Sequence, residues 1–455
     1  MEFKNKKVLI VGFAKTGEAA ARFFLDRGAQ VTVSDKKRED ELGRAAAELR
    51  ARGAGFETGG HLAGTFLGAD LIVPSPGVPD IPEIKAAMDK GVPILSEIEI
   101  AFRFLKGTII GITGSNGKST TTTLAHRILK DAGFKARLAG NIGTPLIGFV
   151  ERSRPADIYV TEISSFQLEH AASFRARVAA FLNISLNHLD RHASFEDYYE
   201  AKRKLFATQT SDDTAVLNRE DALTWALAKN LPSRVLCFSR RRRVRAGCFL
   251  DRGWLVLRDG TERRLIRTAE IPIPGGHNQE NVMAAALIGH VLGVPAEAMR
   301  ATIRAFRGLE HRLEPVLTAR GVRFVNDSKA TTVDATLKAL QSFPGRIVLI
   351  IGGKDKGGDF RALRREIRAR VRSLILIGDS KDKIRKGIEG AAPIVEAGSM
   401  KEAVARGFAA ARPGDVVLLA PACASFDWFL NYERRGRVFK SAVRSLERRL
   451  RKERP

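Results

Sequence analysis

A glycine-rich segment between a strand and a helix places the tightest constraint on how this chain can fold. Residues 111–120 read Gly-Ile-Thr-Gly-Ser-Asn-Gly-Lys-Ser-Thr; an apolar run at 108–112 leads into them and a helical run begins at 121. In that setting, backbone N–H groups converge on phosphate oxygens, a lysine adds positive charge and a serine hydroxyl can ligate Mg²⁺. The first glycine lies one position earlier than in the usual pattern, with Asn116 inserted. The segment predicts a phosphate loop for ATP, with contacts from Gly114, Asn116, Gly117, Lys118, Ser119 and Thr120; the alternative is a glycine-rich turn that binds nothing.

The size and composition of the chain indicate a folded protein of several domains. At 455 residues it exceeds what one hydrophobic core usually supports, and 44% hydrophobic with 28% charged residues is ordinary for a globular protein. No run approaches the ~18 to 20 consecutive apolar residues that span a bilayer, so we expect no membrane insertion and no signal peptide. Three cysteines without a Cys-x-x-Cys pair predict neither a disulfide framework nor a zinc site. We therefore expect a cytoplasmic monomer.

Basic residues outnumber acidic ones by an unusual margin. The chain has 76 Lys+Arg against 51 Asp+Glu, a formal net charge of +25, which fits a nucleic acid, an anionic membrane surface or a polyanionic small substrate. Local runs occur at 240–245 and 444–452, and the second run lacks interleaved aromatic residues. Because the basic residues are otherwise spread along the whole chain, we interpret them as solvated faces and expect no nucleic-acid partner.

The first hundred residues alternate short β-rich runs with helical stretches, which is typical of a parallel α/β unit. The first turn of this unit runs from Gly12 to Gly17, and its second strand ends at Asp35, close to where an acidic residue meets a ribose in dinucleotide-binding folds. Ala14 replaces the middle glycine, and its methyl group would crowd a pyrophosphate lying over the turn. NAD and FAD are therefore disfavoured, which leaves a nucleotide bound differently or a turn without a ligand.

Further α/β alternation follows on both sides of residue 308. The phosphate-loop region adds strands near 158–162, 179–184 and 214–218 and a hairpin-like stretch at 234–265, while buried-strand runs recur from 322 to 419. These patterns predict an α/β protein of three domains. The first is Rossmann-like (1–97), the second is a central P-loop ATPase domain with a mostly parallel sheet plus a small β region (98–308), and the third is Rossmann-like (309–455).

Several polar residues follow the phosphate loop in an order that suggests a metal-dependent site. Glu162 ends a strand, where its carboxylate could ligate Mg²⁺ beside the Ser119 hydroxyl. His188 and Asp190 come just after another strand, and Lys202 lies on the next helix. Each residue alone is more often a satisfied structural group; together, after a phosphate loop, they predict a site.

Two later segments add groups that suit nucleotides and anions. Residues 274–281, Pro-Gly-Gly-His-Asn-Gln-Glu-Asn, form a turn into a helix whose amides can bond a base edge, although a plain helix cap is the alternative. Arg312 opens the third unit, and a strand-to-helix loop then carries Asp327, Lys329 and Thr331. Such loops bind anions readily.

These motifs resemble, in order and over nearly the whole chain, those of the Mur ligases. The matching segments are the phosphate loop with Asn116, Ser-Ser-Phe-Gln-Leu (164–168), Asn-His-Leu-Asp-Arg (187–191), Gly-His-Asn (276–278), His-Arg (311–312), Asn-Asp-Ser-Lys-Ala-Thr (326–331), Gly-Gly-Lys-Asp-Lys-Gly (352–357) and Ala-Cys-Ala-Ser-Phe-Asp-Trp-Phe (422–429). The segment 326–331 is similar to that of the members that add D-glutamate.

The resemblance implies a set of catalytic and metal-binding residues. Lys118 and Ser119 would hold the ATP phosphates and one Mg²⁺, with Glu162 on the same ion, while His188 and Lys202 would serve a second Mg²⁺. In the family this lysine is carbamylated by CO₂, which makes sense because an ammonium repels a metal and a carbamate supplies anionic oxygen. Lys118, His188 and Lys202 are thus the implied catalytic residues.

The resemblance also implies three sets of substrate contacts. For ATP, beyond the phosphate loop, they are Asn278, Asn281, Arg312 and Asp327. For UDP-N-acetylmuramoyl-L-alanine they are Lys15, Thr16, Asp35, Asn141 and His188. For D-glutamate they are Lys329, Thr331, Lys356, Ser425 and Tyr432, whose cations and hydroxyls suit two carboxylates.

The implied reaction is ATP-dependent amide formation in cytoplasmic peptidoglycan precursor synthesis. The substrate carboxylate would become an acyl phosphate, and the D-glutamate amine would attack it through a tetrahedral intermediate. Either His188 or a substrate phosphate oxygen could take the amine proton. Two other readings remain: a folylpolyglutamate-synthase-like ligase, which lacks a full α/β unit before the loop, and an ATP-driven nucleic-acid-binding protein, suggested by the charge.

Overall fold

The computed structural model describes residues 2–186, 191–355 and 357–452. The chain divides into two compact units, the first made of Met1–Glu270 with Gln279–Arg304 and the second of Ile271–Asn278 with Ala305–Pro455. Three sheets run through the described residues, two in the first unit and one in the second.

The first sheet is parallel throughout, with strand order β3-β2-β1-β4. Its elements are β1 (Lys7–Val11), α1 (Lys15–Leu25), β2 (Gln30–Asp35), α2 (Arg44–Ala51), β3 (Gly55–Thr58), α3 (Ala63–Leu67), β4 (Leu71–Pro74), α4 (Pro82–Asp89) and α5 (Glu97–Phe104). Residues Val8 to Val11 are all buried, as expected for a strand covered on both faces. The carboxyl ends of β1 and β2 therefore bring the first glycine turn beside Asp35.

The second sheet has nine strands in the order β13-β12-β11-β10-β9-β8-β5-β7-β6. Its elements are β5 (Thr108–Thr113), α6 (Lys118–Asp131), β6 (Lys135–Gly140), β7 (Asp157–Glu162), α7 (Ser165–Glu169), β8 (Val178–Phe181), α8 (Phe195–Arg203), β9 (Thr214–Asn218), α9 (Ala222–Ala226), β10 (Arg234–Ser239), β11 (Gly247–Asp251), β12 (Trp254–Asp259), β13 (Thr261–Arg267), α10 (Gly276–Val291) and α11 (Ala296–Ala305). The strands pair in parallel except along β11-β12-β13, which are antiparallel. The predicted hairpins are confirmed for these three strands, but the prediction was wrong for β10, which pairs in parallel with both β9 and β11. The central position of β5 puts the phosphate loop in the middle of the sheet's carboxyl edge.

One apolar cluster joins the first two sheets. It contains Val8 and Val31 of the first sheet together with Ile109 and Phe181 of the second. Both sheets accordingly fall within the first compact unit.

The third sheet lies in the second unit and has the strand order β14-β15-β19-β16-β17-β18. Its elements are β14 (Glu314–Ala319), β15 (Val322–Asn326), α12 (Val333–Gln341), β16 (Ile347–Gly352), α13 (Arg364–Arg370), β17 (Val371–Ile377), α14 (Lys381–Ile388), β18 (Ile394–Glu396), α15 (Met400–Ala410), β19 (Val416–Leu419) and α16 (Tyr432–Lys452). Only the β14-β15 pair is antiparallel among its described strands. The predicted α/β class with mostly parallel sheets is confirmed.

Within the described ranges, we find no helix that is both long enough and apolar enough to cross a bilayer.

Candidate active site

The backbone of the phosphate loop adopts conformations that favour glycine. Gly114 and Gly117 have φ angles of 150° and 85°, and α6 begins at Lys118, directly after Gly117. A Cβ on Gly117 would lie 2.2 Å from Oδ1 of Asn281, which approaches from α10. The loop therefore carries its backbone at the start of a helix without side chains at Gly114 and Gly117, which is the arrangement that binds phosphate.

Two loop carbonyls hold the side chain of Lys118. Its Nζ donates to the carbonyl oxygens of Gly114 at 2.8 Å and of Ser115 at 3.1 Å. Asn183, which follows β8, supports the loop from outside: its Oδ1 accepts from the N–H of Asn116 at 2.9 Å. The charge of Lys118 thus lies at the mouth of the loop before any ligand arrives.

Glu162 has one satisfied and one unsatisfied carboxylate oxygen. The residue is 2% exposed at the end of β7, and its Oε1 accepts from Nδ2 of Asn141 at 2.7 Å. Its Oε2 is buried and has no hydrogen-bond partner among the described residues. Because an unpaired buried carboxylate oxygen is costly, a cation is the partner that would satisfy it. The structure also brings together Asn141 and Glu162, which the sequence assigned to different ligands.

Lys202 lies in the interior of this site. It is 1% exposed on α8, its Nζ is 3.4 Å from Oγ1 of Thr113, and the amine sits 4.7 Å from the centre of the Tyr198 ring. Burial, with the neighbouring charge of Lys118, lowers the pKa of Lys202 well below its ordinary value, and Glu162 only partly offsets this. The ammonium form is therefore less favoured than in an exposed lysine.

Two residues of this region were given no role by the sequence analysis. Tyr198 is buried, and its hydroxyl lies 3.1 Å from Oγ of Ser115 in the phosphate loop. His192 is also buried, bonds Oγ of Ser165 through Nε2 at 2.9 Å and stacks on Phe166. The signal for Tyr198 was available, because it precedes Lys202 by four residues and so shares its helix face. His188, predicted as a catalytic and metal-binding residue, lies outside the described residues, as does Asp190.

A second group of potential metal ligands consists of residues other than the predicted metal ligands. Ligand atoms of Asp80, Glu169 and His170 all lie within 4.8 Å of one another. Nε2 of His170 bonds Oδ1 of Asp80 at 3.1 Å, and Arg191 approaches Glu169 to 3.6 Å. Since these partners already compensate the carboxylates, we interpret the group as an ion-pair network. A small cavity beside it is lined by Ser75, Gln167 and Arg191, among others.

The glycine turn of the first sheet is tied to Asp35. The Phe13 N–H donates to Oδ2 of Asp35 at 2.5 Å, and the Lys37 N–H donates to Oδ1 at 2.8 Å. A Cβ on Gly17 would lie 2.0 Å from the Gly12 carbonyl oxygen, so the turn requires glycine there. Lys15 and Thr16 occupy the first turn of α1 beside this carboxylate. Lys15, Thr16 and Asp35, three of the contacts implied for the UDP-linked substrate, thus lie at one edge of the sheet.

The second unit gathers a different set of predicted residues. Asp327 is 8% exposed at the end of β15, and its Oδ1 accepts from the Leu313 N–H at 3.1 Å. Burial raises the pKa of Asp327 to about 7, although the Leu313 hydrogen bond and the charge of Arg312 oppose the shift. Asn278 donates from Nδ2 to the Pro274 carbonyl at 2.6 Å. Asn281 belongs to the first unit, where its Oδ1 accepts from Thr121.

A buried arginine organises the loops that carry the remaining predicted residues. Arg435 is 1% exposed; its Nε donates to Oγ of Ser328, its Nη2 to the Ser328 carbonyl, and its Nη1 to the carbonyls of Cys423 and Ala424, all at 2.8 to 3.1 Å. These contacts fix the segments of Lys329, Thr331 and Ser425 against the start of α16. Lys329 lies over the Tyr432 ring, with Nζ 5.3 Å from its centre. The sequence analysis gave Arg435 no role, and Lys356 lies outside the described residues.

Comparison with known proteins agrees with this architecture. Three family models match consecutive parts of the chain: the Mur ligase MurD-like N-terminal domain at 6–96, the Mur ligase middle domain at 112–289 and the Mur ligase glutamate ligase domain at 311–423. The chain therefore belongs to the Mur ligase family, and the predicted resemblance and three-domain organisation are confirmed.

Individual relatives are similar over nearly their whole length. Proteins from Acidobacterium capsulatum, Solibacter usitatus and Koribacter versatilis are 49%, 48% and 45% identical, over 97%, 98% and 98% of this chain and 97%, 99% and 99% of their own. Each is named a UDP-N-acetylmuramoylalanine–D-glutamate ligase.

Solved structures share the fold. A pseudomurein peptide ligase type C from Methanothermus fervidus matches with a TM-score of 0.59 at 18% identity, and a UDP-N-acetylmuramate-alanine ligase from Thermotoga maritima with 0.59 at 20%. Both matches cover 97% of this chain and 100% of the other.

Proposed function

We propose that this chain is an ATP-dependent ligase that joins D-glutamate to UDP-N-acetylmuramoyl-L-alanine in peptidoglycan precursor synthesis. The names of relatives that are 45% to 49% identical over nearly full length support the substrates. The observation that carries the chemistry is the cluster at the phosphate loop of half-buried Lys118 with buried Glu162 and Lys202. Since ATP and nucleotide-linked sugars are cytoplasmic metabolites, we assign the reaction to the cytoplasm.

Each domain has one principal reactant in this proposal, and some contacts come from a neighbouring domain. We assign 1–97 to the UDP-linked substrate, 98–308 to ATP and 309–455 to D-glutamate. The ATP contacts are Gly114, Asn116, Gly117, Lys118, Ser119, Thr120, Asn278, Asn281, Arg312 and Asp327. The UDP-substrate contacts are Lys15, Thr16, Asp35, Asn141 and His188, and the D-glutamate contacts are Lys329, Thr331, Lys356, Ser425 and Tyr432.

The residues present fit Mg²⁺. Oε2 of Glu162 is an orphaned buried anionic oxygen, and Ser119 offers a hydroxyl in the first turn of α6. We assign both residues to one ion, and His188 with Lys202 to a second. When bound, Mg²⁺ neutralises phosphate charge and polarises the bond that breaks.

The environment of Lys202 fits carbamylation. Only an uncharged amine can add to CO₂, and a lysine buried beside Lys118, with the Thr113 hydroxyl at 3.4 Å, is disfavoured as an ammonium. Addition of the amine nitrogen to the carbon of CO₂, with loss of one proton to solvent, gives a carbamate. The product places an anion, instead of an uncharged amine, at the position where a metal ligand is needed.

The first chemical step activates a carboxylate. A carboxylate is a poor electrophile, so we propose that the L-alanyl carboxylate attacks the γ-phosphorus of ATP, forming an acyl phosphate as the bond to the ADP oxygen breaks. Lys118 and the N–H groups of the loop stabilise charge that moves to the leaving oxygen. Glu162 and Asn141, which are hydrogen-bonded to each other, are assigned to the part of the site beneath the reacting group.

The second step forms the amide. The D-glutamate amine, having lost a proton, attacks the acyl carbon to give a tetrahedral intermediate, which collapses with loss of inorganic phosphate. Lys329 and Lys356 are the cations for the two carboxylates of D-glutamate, and Thr331, Ser425 and Tyr432 supply hydroxyls. Arg435 positions these loops without touching the substrate.

The test is a coupled phosphate-release assay with ATP, Mg²⁺ and UDP-N-acetylmuramoyl-L-alanine. D-glutamate, L-lysine, meso-diaminopimelate and D-alanyl-D-alanine are offered in parallel, and we expect release with D-glutamate alone. Release with another amino acid would refute the proposed acceptor. Phosphate release that requires DNA or RNA and does not depend on either substrate would instead establish a nucleic-acid-stimulated ATPase.

A further inference from the structure

The outer face of the C-terminal helix carries a row of arginines. In α16 the exposed positions 434, 437, 441, 444, 448 and 451 are spaced by three or four residues, and all of them are arginine except Ser441; a further exposed arginine, Arg449, lies outside this row. At about 100° per residue these positions fall within an arc of about 100°. We call Arg434, Arg437, Arg444, Arg448 and Arg451 the arginine stripe.

The opposite face of the same helix is committed to the core. Phe439, Val443, Leu446 and Leu450 are buried in the apolar cluster that also contains Val348 and Leu419. The stripe therefore points away from its own domain. Over 17 residues it extends about 25 Å, given a rise of about 1.5 Å per residue.

The stripe is poorly neutralised by the protein itself. Of its members, Arg451 pairs with Glu447, while the other four form no ion pair with a carboxylate among the residues that the structure describes. The arginines at 434/437, 444/448 and 448/451 are neighbours on the helix, where like charges cost ~0.2 to 0.5 kcal/mol per pair. By contrast Lys440, on the flank of the helix, is paired with Glu310 and Glu314. Among the residues that the structure describes, Glu447 pairs with Arg451 and Glu310 feels the charge of Arg437, while Arg434, Arg444 and Arg448 are not paired with a carboxylate. The stripe thus keeps most of its positive charge.

We propose that the arginine stripe docks the protein on an anionic lipid bilayer. A straight, convex row of guanidinium groups matches a flat sheet of phosphodiesters, which each guanidinium can bind through two N–H groups. Because the apolar side of α16 is already buried, the helix does not insert, and the association is peripheral and electrostatic. Surfaces that bind single-stranded nucleic acid typically add aromatic side chains that stack on bases, and the exposed positions of the stripe hold only arginine and serine.

The test measures partition into vesicles of phosphatidylglycerol and phosphatidylcholine by co-sedimentation. At about 50 mM salt we expect binding that disappears near 500 mM salt and is absent with phosphatidylcholine alone. The quadruple variant Arg437→Gln, Arg444→Gln, Arg448→Gln, Arg451→Gln should bind at least about a hundredfold more weakly, since each basic residue contributes roughly fivefold. The same four positions changed to lysine should retain binding within about tenfold.

A second basic surface of the same chain provides the matched control. Arg241, Arg242, Arg243 and Arg245 are exposed in the loop after β10, and changing all four to glutamine removes the same charge elsewhere. We expect that variant to bind vesicles nearly as well as the parent chain. Equal losses in the two glutamine variants would overturn the proposal, because net charge alone would then account for binding.

Two further results would also overturn it. One is absence of binding to the anionic vesicles by the parent chain at low salt. The other is tighter binding of the parent chain to a random-sequence DNA or RNA duplex than to vesicles at equal ionic strength, if only the stripe variant loses this duplex binding. Circular dichroism and vesicle-free phosphate release, which we expect to be unchanged, show that the stripe variant is folded.

Discussion

Two buried glutamates on one helix should respond to pH in opposite ways. Glu97 and Glu99 lie two residues apart on α5, and both are at most 1% exposed. Oε1 of Glu97 accepts from the Ile147 N–H at 2.5 Å, but its Oε2 has no hydrogen-bond partner among the described residues. Burial therefore raises the pKa of Glu97 to about 7, against an ordinary value of 4.5.

The size of the effect follows from this difference. A shift from 4.5 to about 7 is about 2.5 pKa units, which at ~1.36 kcal/mol per unit corresponds to roughly 3 kcal/mol. Between those two pH values the folded protein holds a proton that the unfolded chain has lost. The folded state therefore loses stability as pH rises through this window, and the loss is complete above the folded pKa.

The perturbation is Glu97→Gln, which keeps the acceptor for Ile147 and cannot ionise. Near pH 5 we expect the two proteins to unfold at nearly the same temperature, and at pH 8.5 we expect the variant to be the more stable by up to about 3 kcal/mol. In a cooperative unit of this size that corresponds to a few degrees in the thermal midpoint. The measurement is differential scanning calorimetry from pH 5 to 8.5, with the infrared band of the protonated carboxyl followed over the same range.

Glu99→Gln is the matched control, for which we expect a stability difference from the parent chain of the opposite sign. Burial raises the pKa of Glu99, but hydrogen bonds from Ser173, Arg103 and the N–H groups of 172–174 outweigh it and leave the pKa below its ordinary value. This variant should be less stable than the parent chain at pH 8.5. The difference in free energy of unfolding should become smaller as pH falls through the acid range. A pH-independent difference for Glu97→Gln, or the same sign for both variants, would refute the electrostatic reasoning.

The remaining predictions concern the proposed reaction. Gly117→Ala should raise the KM for ATP at least about tenfold, because of its positive φ and the contact with Asn281, whereas Gly133→Ala, whose Cβ would meet open space, should not. Lys202→Ala should lower kcat by at least about a hundredfold, and added bicarbonate should not restore it, because the amine that accepts CO₂ is gone. Arg435→Lys should raise the KM for D-glutamate at least about tenfold while changing the KM for ATP less, because a lysine cannot replace four hydrogen bonds to three residues. Steady-state phosphate release measures all three, and the opposite pattern of KM values for Arg435→Lys would contradict its positioning role.

Features set by neighbouring residues were the ones that the sequence predicted well. The phosphate loop depends on a strand, two glycines and a helix start that follow one another, and the structure has β5, the loop and α6 in that order. The small β region was predicted because turn residues and alternating apolar residues define hairpins locally. The same holds for the α/β alternation, since buried parallel strands are nearly continuous apolar runs.

Features that depend on distant residues were not predictable. Asn281 contacts the phosphate loop across 160 positions of sequence, through its bond to Thr121. Arg435 is buried among loop carbonyls, whereas its neighbour Arg434 is exposed. The periodicity of α16 could assign faces, but the role of the buried arginine required the loops that it contacts.

The electrostatics of the site give the strongest physical reason for the proposed carbamate. With ammonium on both lysines, Lys118, Glu162 and Lys202 would sum to one positive charge, and a buried cation would face the place proposed for the divalent metal. Neutralising Lys202 removes the repulsion, and carbamylation turns the sum to one negative charge. Because Oε2 of Glu162 has no partner among the described residues, the cluster then offers two anionic oxygen donors that only a cation can satisfy. Under the proposed carbamylation, a site that disfavours the charge of its own lysine would gain metal affinity from CO₂ without any further side chain.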